Sequence, residues 1–339
     1  MARPTRMAAL LLGAGTGIGL GAAPLAALAQ EEPLTVGYFL EWPMPFQFAK
    51  AEGLYDERLG VPVEWVSFDT GTAMSAAMAS GDVDMVVSQG VPPFVVAASA
   101  GQDLKLLGVA VSYSENDNCV VRSDLEIDAE NAGTELPGKK VAVPLGTAAH
   151  YGFLRQMEHF GVDLASLEVV DMAPPDGAAA IAQGSVDVMC GYGAALTRAK
   201  EHGNVLLTGA EKEALGILVF DVISAPAAVV AERPDDVRDF LAVTAEMNQA
   251  WSDGSRAEEM LPVIAGDAGM DVEATRDFMA TFAFPSVEEQ LSEAWLGGGA
   301  QAFMRGAALV FVDAGSIPSA LDSYDGVVDA GPLAEAGAM

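Results

Sequence analysis

The sequence predicts an α/β protein made of two similar lobes that face a shared ligand cleft. The first observation is an internal repeat. Ala79-Ser80-Gly81-Asp82-Val83-Asp84-Met85-Val86-Val87-Ser88-Gln89-Gly90 reads as a turn, a short buried strand and a tight turn that opens a helix. Gln183-Gly184-Ser185-Val186-Asp187-Val188-Met189-Cys190-Gly191-Tyr192-Gly193 repeats that pattern, with Gly81 matched to Gly184 and Gly90 to Gly193, 103 residues apart in each case. Each copy ends in a Gly-rich turn, at the place where open α/β sheets hold ligands. The second observation is size: 339 residues, 51% of them apolar, can fill the cores of two ordinary domains.

The formal charge is −31, from 48 acidic and 17 basic residues. Such a surface repels phosphate backbones, so nucleic acid is not an expected partner. It suits a salty surrounding in which self-repulsion is screened. Residues 1–30 carry Arg3 and Arg6, an apolar run from Met7 to Leu25 and a small-x-small site at Ala27-Leu28-Ala29. This reads as a secretory signal peptide, and no cysteine stands at the cleavage site to anchor a lipid. Losing the two arginines takes the charge from −31 to −33. The mature protein is expected in the periplasm, soluble and monomeric. An exported compartment permits a disulfide between Cys119 and Cys190; the alternative is two small buried hydrophobes. With two cysteines and three histidines a structural zinc site is not expected, nor is any other metal or cofactor.

Taken in order, Leu34–Leu40 reads as the first strand, broken at once by Glu41-Trp42-Pro43-Met44-Pro45. That break sets Glu41 and Trp42 at the strand's C-terminal edge, where a carboxylate beside an aromatic face suits an ammonium group. The competing reading is a Trp packed on Pro. Phe46–Glu52 reads as a helix closed by Gly53, and Val61–Phe68 as the second strand. Asp69-Thr70-Gly71-Thr72 then caps a short helix over Ala73–Ala79, leaving the N–H groups of Gly71 and Thr72 free to face an anion. The third strand ends at Val86-Val87, Ser88-Gln89-Gly90 turns it, and a helix opens near Pro92 or Pro93. Leu104–Tyr113 is a further strand. Ser114-Glu115-Asn116-Asp117-Asn118 is a polar stretch read as a crossing between lobes near the cleft, or as a surface hairpin, before Cys119-Val120-Val121 resumes a strand.

The second lobe repeats the arrangement. Val141–Val143 is a strand, Pro144-Leu145-Gly146-Thr147-Ala148-Ala149-His150-Tyr151 a Gly/Thr turn into a helix over 148–160, and Gly161 its stop. The start at Thr147 and Ala148 is an anion cradle without the lysine or glycine spacing of a nucleotide loop. His150, in the first turn, either touches ligand or packs and caps. Leu167–Asp171 is a strand ended by Pro174-Pro175, Ala178–Gln183 a small helix, and Tyr192 sits in the exit loop of the second repeat copy. Val219–Ile223 is an apolar strand holding one acid, Asp221. A buried acid is costly unless paired, so Asp221 is either a ligand group or the partner of a backbone turn. Helices are expected over 234–251, 257–266, 271–281 and much of 287–305, with a loose tail from Phe311. No nucleophile stands with a base at a recognisable spacing, so no catalytic residue is assigned.

Phe68-Asp69-Thr70-Gly71, Ala79–Val83, Ser88–Pro92, Gly138–Pro144 through His150-Tyr151, Gln183–Asp187 and Phe220-Asp221-Val222 together resemble the taurine/aliphatic sulfonate/nitrate group of periplasmic substrate-binding proteins of ABC importers, the taurine branch most. The resemblance runs from about residue 34 to 250. It implies the type II-like two-lobe periplasmic binding protein fold, with residues 31–116 and 222–339 as one lobe and 117–221 as the other. It implies binding without catalysis: taurine or a similar aminosulfonate is held in the cleft and handed to an ABC permease in the inner membrane. The helix starts near Gly71-Thr72, Gln89-Gly90 and Thr147-Ala148-His150 would receive the anionic head. Asp221 and Glu115 would receive the ammonium, with Glu41, Trp42 and Tyr192 beside them. The loops Glu41–Pro45, Ser114–Asn118 and Gly191–Ala194 depart from those of taurine binders, which leaves open another small zwitterion, a quaternary amine or a bare anion. The enzyme alternative is a pyrimidine- or thiamine-precursor-related protein on the same fold, using Cys190 or His150.

Overall fold

Ten strands, in a computed structural model that describes residues 32–339, form two five-stranded sheets. The expected signal peptide, residues 1–30, lies outside the described residues. The strands are β1 Leu34–Tyr38, β2 Val63–Ser67, β3 Met85–Gly90, β4 Leu104–Tyr113, β5 Asp117–Arg122, β6 Lys140–Val143, β7 Glu168–Asp171, β8 Val188–Tyr192, β9 Gly203–Val205 and β10 Val219–Pro226. The first sheet has the order β2-β1-β3-β10-β4 and the second β7-β6-β8-β5-β9. β1 pairs parallel with β2 and β3, and β6 parallel with β7 and β8. One antiparallel strand then follows in each sheet, β10 against β3 and β5 against β8. The two repeat copies therefore end in equivalent strands, β3 and β8, each third in its sheet. The chain passes between the sheets at 114–116 and again between β9 and β10.

Helices follow the parallel strands and start at their C-terminal ends. Gly71–Ser80 follows β2, Val91–Ser99 follows β3, Ala148–Phe160 follows β6, Pro174–Ala182 follows β7 and Gly193–Lys200 follows β8. Thr70 and Thr147 cap two of them, accepting from the N–H of Ala73 and His150. β3 is buried at every residue, as a central strand covered on both faces must be.

Several boundaries differ from the expectation, each for a local reason. Ser88-Gln89-Gly90 completes β3 instead of turning it, with Ser88 held at a φ of 67°, and Gly90 alone is the cap. Asp117 and Asn118 begin β5 and so belong to a buried strand. Pro174 and Pro175 open a helix instead of ending a strand, because a helix's first turn needs no N–H from them. The tail from Phe311 is packed: Phe311 belongs to the Gly299–Asp313 helix, and Tyr324 and Leu333 are buried. Gly315, Pro318, Gly326 and Gly331 interrupt the tail, which conceals the burial of its apolar residues.

Cys119 and Cys190 stand opposite each other on β5 and β8 and form a disulfide. Among the described residues no helix is long and apolar enough to cross a membrane, and no cluster of three metal-ligating side chains occurs.

Candidate functional site

The C-terminal ends of the parallel strands meet across a cleft of two connected chambers. The inner one, about 10 Å³, is lined by Phe39, Trp42, Gly71, Gly90, Pro93, Tyr113, Thr147, Ala148, Tyr192 and Asp221. That is room for about one water molecule, so the walls must part to admit a solute. The outer chamber shares Phe39, Trp42 and Tyr192, and adds Glu41, Ser67, Phe68, Asp69, Pro174 and Gly193 among others.

Close backbone approach builds the inner walls. A Cβ on Gly71 would stand 2.6 Å from Cγ of Pro93, so glycine lets the first and second helix starts touch. A Cβ on Gly90 would meet Ala148 Cβ at 3.3 Å and Asp221 Oδ1 at 3.7 Å, which puts the third helix start beside the acid. These starts carry the positive end of the helix dipole. Pro92 and Pro93 have no N–H, so donors to an anion come chiefly from the Gly71–Ser80 and Ala148–Phe160 helices. None of the residues lining the inner chamber is Lys or Arg.

Asp221 is the acid of that chamber. Its position early in β10 pairs it with Gly90 and Val111 and buries it almost completely. Ser88 Oγ donates to Oδ2 at 2.6 Å and Tyr113 Oη to Oδ1 at 2.8 Å. Burial pushes its pKa up to about 7, against those two hydrogen bonds and with the help of the charge on Asp117. The Trp42 indole N–H has no hydrogen-bond partner among the described residues, yet its approach to Asp221 favours the charged carboxylate. Trp42 centres an aromatic cluster, with ring centroids 4.9 Å from Tyr113, 6.2 Å from Tyr192, 5.5 Å from Phe278 and 5.0 Å from Phe282.

Contacts between the two sheets' loops close the mouth. Tyr192 Oη donates to the Asp69 carbonyl at 3.0 Å, and Arg198 pairs with Glu41 at 3.1 Å. A Cβ on Gly193 would lie 3.0 Å from the Glu41 carbonyl, and one on Gly146 would lie 3.1 Å from Thr72 Cγ2.

The structure thus brings Trp42, Gly71, Gly90, Thr147, Ala148, Tyr192 and Asp221 together, with Glu41 at the mouth. Four expected residues stand elsewhere. Gln89 alternates away from the chamber because it is in a strand; its Nε2 donates to the Gly71 carbonyl and to Ser75 Oγ, both at 2.7 Å. It braces the cradle from behind. Glu115 accepts from Lys200 at 3.1 Å and the Gly209 N–H at 2.7 Å; burial raises its pKa, but these partners outweigh that and hold it low. His150 packs and caps: Nδ1 accepts from the Gly146 N–H at 3.0 Å and the ring stands 5.4 Å from Phe311. Burial lowers its pKa to about 4, so it is neutral at pH 7. Thr72 shares a hydrogen bond with Thr70 and packs on Gly146.

Ser88, Tyr113, Phe39 and Asp117 were not singled out from the sequence. Ser88 adjoins the chosen Gln89, and Asp117 lies in the same polar stretch as Glu115. The missing signal was strand register, which decides which neighbour faces the cleft.

Comparison with known proteins gives a consistent picture. Residues 43–253 match the family described as NMT1/THI5 like. The taurine-binding periplasmic protein of Escherichia coli (strain K12) is 26% identical over 227 residues, 67% of this chain and 69% of that protein. The alkanesulfonate-binding protein of Xanthomonas axonopodis pv. citri, solved bound to MOPS, superposes with a TM-score of 0.71 at 20% identity, over 89% of this chain and 99% of that one. The periplasmic nitrate-binding protein of Synechocystis PCC 6803 does so with a TM-score of 0.70 at 14% identity, over 90% and 88%. These superpositions establish the two-sheet α/β fold of periplasmic binding proteins. The family match covers most of the chain, and the protein belongs to the NMT1/THI5-like family.

Proposed function

We propose that this protein is the extracytoplasmic solute-binding component of an ABC importer. It takes a small zwitterion, taurine first among aminosulfonates, and delivers it to a permease in the inner membrane. It carries out no reaction. The single observation behind this reading is the composition of the inner chamber: uncharged helix starts on one side, and one buried carboxylate among aromatic rings on the other. The helix starts suit a dehydrated sulfonate. Asp221 and the faces of Trp42, Tyr113 and Tyr192 suit an ammonium. A bare anion would leave Asp221 unmatched. The similarity to a taurine-binding periplasmic protein supports the same solute class.

Under this reading residues 31–116 and 219–339 act as one lobe and 117–218 as the other, closing on the solute through the contacts of Tyr192 and Arg198; the expected boundary at 222 moves because β10 joins the first sheet from Val219. A second reading, a quaternary amine, is favoured by the number of rings around Trp42; it would leave the helix starts without an anion. A thermal-shift screen of taurine, hypotaurine, nitrate, sulfate and choline separates these. Taurine and hypotaurine are expected to raise Tm. A shift with nitrate or choline and none with the aminosulfonates would overturn the proposal.

A further inference from the structure

Asp221 is not the only buried acid near the inner chamber. Asp117, the first residue of β5, is 2% exposed, and its Oδ2 has no hydrogen-bond partner among the described residues. Its backbone pairs with Tyr192, a lining residue of both chambers. Its Oδ1 stands 3.4 Å from where a Cβ on Gly152 would be. Gly152 lies four residues after Ala148 on one helix, on the same face and about 6 Å further along. Ala148 is part of the chamber wall. Asp117 therefore sits one helical turn behind that wall, against Tyr192.

The groups around it do not satisfy it. Lys212, buried on the Gly209–Ala214 helix, donates to the main-chain carbonyl of Asp117 and makes no salt bridge with its carboxylate. Tyr113 spends its hydroxyl on Asp221 and Tyr192 spends its own on the Asp69 carbonyl. Glu115 is engaged with Lys200 and the Gly209 N–H. His150, on the helix that carries Gly152, is neutral and turned to Gly146 and Phe311. Burying an unpaired carboxylate is expensive, and a small protein rarely keeps one without a partner to receive.

We propose that Asp117 is a second cation-receiving carboxylate of the solute site and makes it selective for a cation that bears N–H donors. Asp221 already accepts from Ser88 and Tyr113, so a quaternary ammonium could satisfy it by charge alone. Asp117 Oδ2 still requires a donor, which a primary ammonium or guanidinium supplies and a trimethylammonium cannot. The inference rests on the zwitterion reading.

Burial holds both acids near a pKa of about 7, with Lys212 pulling Asp117 down and Asp117 pushing Asp221 up. A cation received by both favours their charged forms, so binding below neutral pH releases protons. Calorimetry in buffers of different ionisation enthalpy counts them. The probes are taurine, its guanidino analogue, N,N,N-trimethyltaurine and nitrate, each against wild type, Asp117→Asn and Asp221→Asn. At pH 6 the wild type is expected to release about two protons per taurine and Asp117→Asn about one. The wild type should bind taurine at least about tenfold tighter than the trimethyl compound, and Asp117→Asn should lose most of that preference. An unchanged proton count and preference in Asp117→Asn, with taurine still bound, overturns the role of Asp117 and leaves the solute reading standing. Binding of nitrate with no aminosulfonate bound overturns both, as does binding of none of the four. Should Asp117→Asn fail to fold, equal affinity of the wild type for taurine and N,N,N-trimethyltaurine overturns the inference unaided.

Discussion

The Tyr113 hydroxyl donates to Oδ1 of Asp221 across 2.8 Å, joining the last residue of β4 to the acid of β10. Ser88 holds the other oxygen at 2.6 Å, from a backbone φ of 67° that a serine seldom adopts. The strain is tolerated where it aims a donor at a buried carboxylate. Removing the acid should cost the ammonium its partner. Asp221→Asn is expected to weaken taurine binding by about 1.5–3 kcal/mol, some ten- to 150-fold. Unchanged affinity on titration would remove Asp221 from this role.

Tyr113→Phe leaves the ring and deletes one hydrogen bond that favours the charged form of Asp221. The pKa of Asp221 should rise further. Taurine affinity at pH 7 should fall by about 0.5–1.5 kcal/mol, and much of the loss should return at pH 9. A loss equal at both pH values would point to packing instead.

Two buried acids also govern the stability of the ligand-free protein. Asp117 and Asp221 have pKa values raised from 3.8 to about 7. The folded state thus binds more protons than the unfolded chain between those values. Their contribution to stability is whole below pH 3.8 and is lost as pH rises through about 7. His150 acts oppositely: its pKa is lowered from 6.5 to about 4, so its contribution is present above 6.5 and is lost as pH falls through about 4. Between pH 6.5 and 8 only the acids are still losing stability. Thermal denaturation without ligand should therefore show Tm falling across that window, with a shallower fall in Asp117→Asn. A Tm that rises there would contradict the burial of both acids.

Gly71 stands where the Gly71–Ser80 helix touches Pro93. Gly71→Ala forces a Cβ to within 2.6 Å of the proline ring and should cost about 1–3 kcal/mol of stability while opening the cradle. Gly266→Ala is the control. It lies inside the Ala257–Ala268 helix with nothing within 4 Å of its Cβ, and should be neutral or gain up to about 1 kcal/mol. Equal effects in urea unfolding would refute the close approach.

The Cys119–Cys190 disulfide closes a separation of 71 residues within one sheet. Replacing both by alanine should cost about 2–5 kcal/mol in urea unfolding. Taurine affinity should change little, since neither sulfur lines a chamber.

The repeat at Gly81 and Gly184 was legible because both copies carry the same glycine-punctuated strand into a helix start. The same signal found Gly71, Gly90 and Thr147. Asp221 was visible as one acid in an apolar run. What stayed hidden depends on register. Gln89 and Ser88 share a tripeptide that reads as a turn, but β3 continues through it and alternation sends Ser88 to the acid and Gln89 behind the cradle. Glu115 and Asp117 share a polar stretch, and only the start of β5 decides that Asp117 is buried while Glu115 reaches Lys200. The aromatic partner Phe278 comes from a distant helix and Phe282 from just past its end, which no local pattern connects to Trp42.

A zwitterion held in the inner chamber would lie between helix starts and a buried acid. The direct measurement is an equilibrium titration of ligand-free protein at pH 8 with taurine, nitrate and choline under identical conditions. Saturable one-to-one binding of taurine is expected, tighter than either of the others by at least about tenfold, because only taurine satisfies both ends. Saturable binding of nitrate or choline with taurine equal or weaker would contradict it.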